Sequence, residues 1–397
     1  MGQMHAEAGR REASVRSDCY VTIDRRDSGG LAIDIRGKSE RFYRSSIVQA
    51  VEAMLEQYGI RAAAVRIDDF GALPFTLNAR LECAIRRLGK EFDHPPAQFP
   101  TSLSNYTVAR DRFRRSRLYL PGNEPKFIVN AGLHQPDGII LDLEDSVAPA
   151  EKDTARILVR NALQEVDFYG AEKMVRINQL PLGLADLDEI IPCHVHTILI
   201  PKCESGQQVA EVADRIRHIR AKTEQPEPVY LMPILESARG ILRADEIGAA
   251  SPLNVALTIG LEDFTADIGA ERTQEGRESF QARSMVVLAA RAHGLQPIDT
   301  VYSDVQNEDG LRQSTLESKQ LGFEGRGCIH PRQIRVIHEA FAPSPPEIER
   351  AGRIVDALRE AEARGSGVVA LGSKMIDPPV VKRAQKILKL AKQLGLR

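Results

Sequence analysis

The chain has 397 residues and a formal net charge of −2, with 43% hydrophobic and 27% charged residues, five Cys and no Trp. That length implies one large α/β domain with an appendage, or two domains, with enough apolar residues for a substantial core. Near-neutral charge excludes nucleic acid as the main partner. No apolar run approaches the roughly 18 residues of a membrane span, and scattered cysteines without a C-x-x-C argue for a reducing compartment, hence a cytoplasmic protein.

Residues 1–16 lack the apolar stretch of a secretory signal, and their Arg content only faintly suggests a transit peptide; a disordered tail over residues 1–12 is expected. Residues 13–91 read as a small α+β domain. Short β-rich runs at 20–23 and 31–35, joined through Ser28-Gly29-Gly30, carry a hairpin signature. Ile47, Val51, Met54, Leu55 and Tyr58 recur at helical spacing, with Gly59 placed to end the helix. A third strand at 64–67 and a turn at 69–71 follow, and 75–85 reads as a fourth strand or a strand passing into a helix. This segment holds no acid–base constellation, so its pattern is that of a binding or carrier module. Residues 92–114 are Pro-rich, then polar and aperiodic, the composition of a linker.

From 115 to 342 the pattern alternates. Apolar runs at 117–120, 138–143, 174–177, 197–201, 229–235, 254–259, 296–301 and 327–329 are separated by stretches long enough for helices. Eight such units predict an α/β fold, a (β/α)8 TIM barrel. A doubly wound sheet would need a phosphate fingerprint, and Leu120-Pro121-Gly122-Asn123 is not one. Residues 343–397 form a C-terminal flap: a helix marked by Ile348, Ala351, Ile354, Val355 and Leu358, a short run at 368–371, and a last helix carrying Val380, Ala384, Ile387, Leu388, Ala391 and Leu394.

Reacting groups in a barrel come from the C-terminal ends of the strands. The polar residues there are Asp142, Glu144 and Asp145, Arg176 and Asn178, Lys202 and Glu204, Glu236, Glu262 and Asp263, Asp299 and Asp304, and His330. Carboxylates without paired His or Cys suit a hard oxygen-liganded ion, Mg2+ or Mn2+, and Glu236 and Asp263 fit it best. Any one acid alone reads equally as an N-cap of the following helix, Asp145 above all. Arg176 suits either a fork onto a substrate carboxylate or an ion pair with a neighbouring acid. Lys202 suits a Schiff base, but so many acids would hold its pKa up, which favours a paired lysine. Cys193-His194-Val195-His196 precedes the fourth strand, on the stability face, so its metal reading is set aside. Lys382, Arg383, Lys386, Lys389 and Lys392 make the last helix basic: a solvated face, or an attraction for a phosphate-bearing cofactor arm. By spacing alone, Asp377 before Pro378-Pro379 is a helix cap.

Three stretches carry a specific likeness: 115–123 (Arg-Ser-Arg-Leu-Tyr-Leu-Pro-Gly-Asn), 139–149 (Ile-Ile-Leu-Asp-Leu-Glu-Asp-Ser-Val-Ala-Pro) and 260–264 (Gly-Leu-Glu-Asp-Phe). With Val175-Arg176-Ile177-Asn178, Pro201-Lys202-Cys203-Glu204, Leu235-Glu236-Ser237 and Cys328-Ile329-His330-Pro331, they resemble the citrate lyase β-subunit family of the HpcH/HpaI aldolase superfamily. The resemblance implies Mg2+ held at Glu236 and Asp263, Arg176 gripping a keto-acid carboxylate, and Glu144 and Asp145 in the metal's water shell. It also implies that Asp377, in a Lys374-Met375-Ile376-Asp377 segment, reaches a neighbouring subunit's site as the acid–base group, in a trimer or hexamer. Asp69-Phe70-Gly71-Ala72-Leu73 and Asn78-Ala79-Arg80-Leu81-Glu82 resemble the citrate lyase γ subunit, an acyl carrier protein. Ser17 matches its prosthetic-group serine when one residue is deleted after it; an ungapped alignment sets Arg16 there and leaves an unmodified domain open. The expected chemistry is cleavage of a citryl thioester, carried on CoA or a CoA-derived arm, to oxaloacetate and an acetyl thioester. A citrate lyase α subunit would be needed as transferase partner for a full cycle. The alternatives are a malyl- or citramalyl-CoA-type lyase, a pyruvate-forming aldolase, and a non-enzymatic scaffold of a lyase complex.

Overall fold

The computed structural model describes residues 4–12, 15–37, 40–96, 105–223, 228–363, 369–371 and 374–396. Residues 97–104 of the expected linker, Ala13 and Ser14 of the carrier-like segment, and Val368, Gly372 and Ser373 of the flap lie outside them.

Strands β1 (His5–Gly9), β2 (Cys19–Arg25), β3 (Leu31–Gly37) and β4 (Ala63–Asp69) form one sheet in the order β1-β2-β4-β3. Period-two alternation sets its buried face: Cys19, Val21 and Ile23 on β2 and Ala63, Val65 and Ile67 on β4. Two expectations are corrected here. Residues 5–9 belong to the sheet and not to a disordered tail, since β1 pairs antiparallel with β2 and buries Ala6 and Ala8. Its alternation is built on alanine, which carries little β signal. β2 and β3 do not form a hairpin, because β4 lies between them, antiparallel to β2 and parallel to β3. The helix α1 (Glu40–Gln57) supplies the crossover that a parallel β3–β4 pair requires, and that pair takes the slot of a hairpin partner. α1 buries Ile47, Val51, Met54 and Leu55, as their spacing predicts. Residues 75–85 are wholly helical, in α2 (Pro74–Arg86), which proline starts.

Eight strands, β5 (Ser116–Pro121), β6 (Gly138–Asp142), β7 (Glu172–Arg176), β8 (Thr197–Ile200), β9 (Tyr230–Leu235), β10 (Ala256–Ile259), β11 (Gln296–Asp299) and β12 (Gly325–Cys328), close a parallel barrel, as the alternating pattern predicts. Ile140, Met174, Leu199, Met232, Ile234, Ala256 and Ile298 form one apolar cluster inside it. Outward residues such as Leu118, Leu120, Ile139 and Leu141 join the larger core beneath the helices. Beyond the barrel, the helices Pro345–Ala363 and Pro378–Gln393 share a small core of Ile354, Val355, Val381 and Ala384. The antiparallel pair β13 (Val369–Leu371) and β14 (Lys374–Ile376) connects them. Among the described residues no helix is long and apolar enough to cross a membrane.

The N-terminal domain is locked to the barrel by charge. α2 lies against the barrel helix Lys152–Glu165, where Arg160 Nη1 donates to Glu82 at 2.9 Å and to Glu189 at 2.7 Å. Arg86 donates to Glu189 at 2.6 Å, and Arg87 to Asp153 at 2.8 Å. Glu82 and Arg160 are fully buried, so removing the Glu82 charge leaves Arg160 and Arg86 to share Glu189 in a low-dielectric contact. Glu82→Gln is therefore expected to cost about 3 kcal/mol, with much of it recovered in Glu82→Gln/Arg160→Met; thermal unfolding of the two single variants and the double variant checks this.

Candidate active site

The site is assembled where the strands end. The register that pairs Asp142 with Arg176 across β6 and β7 sets their side chains next to each other. Arg176 donates through Nε and Nη2 to the two Asp142 oxygens at 2.6 and 2.7 Å, and its Nη1 lies 2.8 Å from Glu144 Oε2. The two uses open to Arg176 in sequence are thereby weighed: it is an ion-paired arginine. Two of its five N–H groups are hydrogen-bonded, both to Asp142, and Nη1 faces Glu144 as a charge without an aligned bond, so donors remain for a further acceptor. Burial opposes ionisation of Asp142, but the Arg176 fork holds its carboxyl below the usual range. Burial raises Glu144, although Arg176 and a 2.9 Å bond from Gln179 Nε2 work against it.

Glu236 follows β9 directly and is buried. Burial pushes its carboxyl up to about 8, and the charges of Asp263 and Glu144 add to the effect. Its Oε1 accepts the Lys202 backbone N–H at 3.0 Å. Its other oxygen lies against Gly260, where a Cβ would stand 2.8 Å from it, so only glycine leaves this carboxylate its place. Asp263 sits in the first turn of the helix Leu261–Asp267 and is half exposed. Lys202 Nζ stands between these acids, 3.5 Å from Asp263 and 3.7 Å from both Glu144 and Asp145. Burial lowers its pKa somewhat, but Glu144, Asp145 and Asp263 raise it above the ordinary value, as the acid-rich surroundings predict. A Schiff-base lysine needs the opposite shift.

The donor set fits a hard divalent cation. Every candidate donor is a carboxylate oxygen, Glu144 Oε2 has no aligned hydrogen-bond donor, and Glu236 is forced toward neutrality without a cation beside it. Among the described residues no three His, Cys, Asp or Glu side chains stand as a ready-made cage. A site of one or two carboxylates is what Mg2+ takes, since it keeps several of its waters.

Other candidates fall into structural roles. Asn178 holds Asp186 at 2.7 and 2.8 Å, Glu204 accepts from Ser237, and Asp299 is buried against Arg283 and Ser318. Asp304 is exposed, and His330 Nδ1 accepts the Arg332 backbone N–H. His196, buried between the backbones of Lys173 and Tyr106, has its pKa lowered to about 3 by burial, so it is a neutral structural group. Asp377 occupies the N-cap of the helix Pro378–Gln393, exposed and without a side-chain cap bond. It is not brought to the cluster within one chain. Lys386 of the basic helix pairs with Glu324 at 2.7 Å.

Ser17 is half-buried with φ 55°, its N–H bonded to Phe70 O. The adjoining Asp18 is forked by Arg80 at 2.8 Å, and Arg80 also donates to the backbone oxygen of Asn123 at 3.2 Å. Asn123 belongs to the loop leaving β5, so the Ser17 loop is tied to the mouth side of the barrel. Sequence reasoning missed Arg117 and Tyr119, which line the cavity of about 370 Å3 inside the mouth, beside Asp142, Arg176, Glu236 and Asp263. The signal was present: in the strand alternation, Leu118 and Leu120 face the helices, so Arg117 and Tyr119 face the barrel axis.

Fold and site together define an enzyme of the TIM-barrel class with an acidic mouth. The family described as HpcH/HpaI aldolase/citrate lyase matches residues 115–331, and the acyl-carrier family described as malonate decarboxylase delta subunit (MdcD) matches residues 5–88. The Haemophilus influenzae citrate lyase subunit beta is 40% identical over 289 residues, covering 72% of this chain and 99% of that protein. The mitochondrial citramalyl-CoA lyase of Rattus norvegicus is 35% identical over 305 residues, 73% of this chain and 89% of that one. The crystal structure of CitE from Mycobacterium tuberculosis in complex with magnesium, acetoacetate and coenzyme A superposes with a TM-score of 0.59 at 30% identity, covering 72% of this chain and all of that one. The chain belongs to the HpcH/HpaI aldolase/citrate lyase family and is a carbon–carbon lyase related to citrate lyase β subunits, with an acyl-carrier-like segment at its N-terminus.

Proposed function

We propose that this protein cleaves a citryl thioester, a 3-hydroxy-3-carboxyacyl thioester, to oxaloacetate and an acetyl thioester, with Mg2+ bound at Glu236 and Asp263. The observation that carries the reading is the convergence of Glu236, Asp263, Glu144 and Asp142 with Arg176 at one end of the barrel. A bound Mg2+ supplies Lewis-acid polarisation of the hydroxyl that becomes the keto group. The chain's own residues do the rest. Arg176, fixed by its fork on Asp142, offers the N–H groups not bonded there to the acid end of the substrate, which orients the scissile bond. Glu144 and Asp145 would accept hydrogen bonds from the waters such a cation keeps. Asp377, carried on the flap, moves the proton to or from the acetyl carbon. It would come from a neighbouring copy, which makes a homo-oligomer part of the reading.

The N-terminal domain supports a thioester arm as the substrate's carrier: an arm on Ser17 would start beside the β5 loop. Intact-mass measurement of native protein is expected to show a CoA-derived adduct that Ser17→Ala lacks, with Mg2+-dependent release of oxaloacetate from the citryl form. An unmodified protein that cleaves free citryl-CoA retains the lyase reading and removes the carrier. The 35% identity to a citramalyl-CoA lyase favours a second reading, a lyase of free CoA thioesters that forms pyruvate.

A further inference from the structure

Arg117 is a fully buried guanidinium, yet it pairs with no carboxylate among the described residues. Only its Nη1 has partners, the Thr258 hydroxyl at 3.1 Å and the Met232 sulfur at 3.0 Å; Nε and Nη2 have none. The acid that acts on it from a distance, Glu172, is forked by Arg114 at 2.8 and 2.9 Å. Burying a cation without a counter-charge costs several kcal/mol, so an isolated one marks a place where an anion arrives.

The barrel makes room for it. Arg117 lies in register with Gly138 on β6 and Gly327 on β12, so both neighbouring strands present glycine at its level. A Cβ on Gly138 would press on Met174 and approach the Arg117 side chain, and one on Gly327 would stand 3.1 Å from the Tyr119 ring. Arg117 touches the same cavity that Glu236 and Asp263 line. Its partner Thr258 precedes Gly260, the glycine against Glu236, by two residues, which is about 7 Å of strand. A four-carbon diacid with one end at the acidic mouth spans that distance.

Charge selects the ligand. The mouth cations are already matched, Arg176 by Asp142 and Glu144, and Lys202 by Glu144, Asp145 and Asp263. Among the described residues that line the cavity, Arg117 alone has donors to spare and no acid. We propose that Arg117 is the receptor for a second substrate carboxylate at the cavity floor, so that the site selects a keto acid bearing a distal carboxylate over one ending in methyl or hydrogen.

This rests on the lyase reading and sharpens it. Citryl and citramalyl thioesters differ only in a carboxymethyl against a methyl group, and their keto-acid products are oxaloacetate and pyruvate. Arg117→Met removes a buried charge and keeps an apolar stem, so the variant is expected to stay folded. The expected result is a fall of about 10²-fold in kcat/KM for citryl-CoA, the size of a lost charge-assisted bond in a dry site, with cleavage of citramalyl-CoA changed less than about threefold. Arg117→Lys keeps the charge and should fall between. Equal losses on both thioesters, or no loss on citryl-CoA, overturn the proposal. Binding separates its failure from that of the lyase reading. With Mg2+ present and no thioester, calorimetry should show the wild type binding oxaloacetate more tightly than pyruvate, and Arg117→Met losing the preference. If the wild type cleaves neither thioester but shows that preference, the lyase assignment fails and the receptor stands; if the wild type has no preference, the receptor fails.

Discussion

Glu236→Gln and Asp263→Asn are each expected to lower turnover by at least ~10³-fold while the protein stays folded. In the structure these two carboxylates belong to a group whose mutual repulsion is relieved in part by Lys202 and Arg176. Amide replacements keep the shape and remove the charge that would hold a divalent ion. Because Glu236 has its carboxyl raised to about 8 in the fold against 4.5 for the free group, the native state holds the extra proton between these values. Its stabilising contribution is therefore complete below about pH 4.5 and is lost as pH rises through 8. Chelator-treated wild type should lose melting temperature over that window, and Glu236→Gln should not. Added Mg2+ should raise the melting temperature of the wild type and leave that of the variant unchanged. Full turnover of chelator-treated wild type would defeat the assignment.

How much of this was legible in the sequence depends on how local the cause is. Barrel strands such as β6, β8, β9 and β10 were readable because each is a dense apolar run buried on both faces, and such runs keep their character whatever surrounds them; β12, Gly-Arg-Gly-Cys, was placed by the spacing of the others. The acids at their ends were readable for the same reason, since a strand end is a local event. The sheet order of the N-terminal domain was not, because Ser28-Gly29-Gly30 turns the chain equally well into a hairpin or into a strand that leaves room for β4. β1 was hidden by its alanines, whose burial comes from pairing with β2 and not from hydrophobicity. Arg176 shows a second limit. Its place beside Asp142 is a matter of inter-strand register, which spacing along one strand does not encode. Arg117 shows a third, since its meaning lies in what is missing around it: the acid a buried arginine ordinarily pairs with.

The docking of the carrier-like domain bears on how an arm on Ser17 would work. Carrier domains that travel between sites need weak, exchangeable contacts, whereas Glu82, Arg160, Arg86 and Glu189 form a buried network, and Asp18–Arg80 is tied to the β5 loop. Such contacts favour a domain that stays put. Any motion would then belong to the arm, which reaches the mouth from a fixed root. With an arm on Ser17, this arrangement would give up delivery to a distant transferase for a high local concentration at its own barrel.

Asp377→Asn is expected to reduce turnover by about 10² to 10⁴-fold, the usual contribution of a positioned acid–base group, with no measurable loss of stability. Stability is spared because Asp377 is exposed and caps its helix with no side-chain hydrogen bond, so there is little for Asn to lose. If it acts from the flap of one copy on the barrel of another, catalysis needs Asp377 and Glu236 on different chains. Co-expressing Asp377→Asn with Glu236→Gln under two tags and isolating the mixed oligomer should then recover a substantial fraction of wild-type turnover, although each variant alone is nearly inactive. Hybrids without activity would place the group within one chain and require the flap to fold over its own mouth. An active Asp377→Asn would return this aspartate to the role that spacing alone gives it, a helix cap.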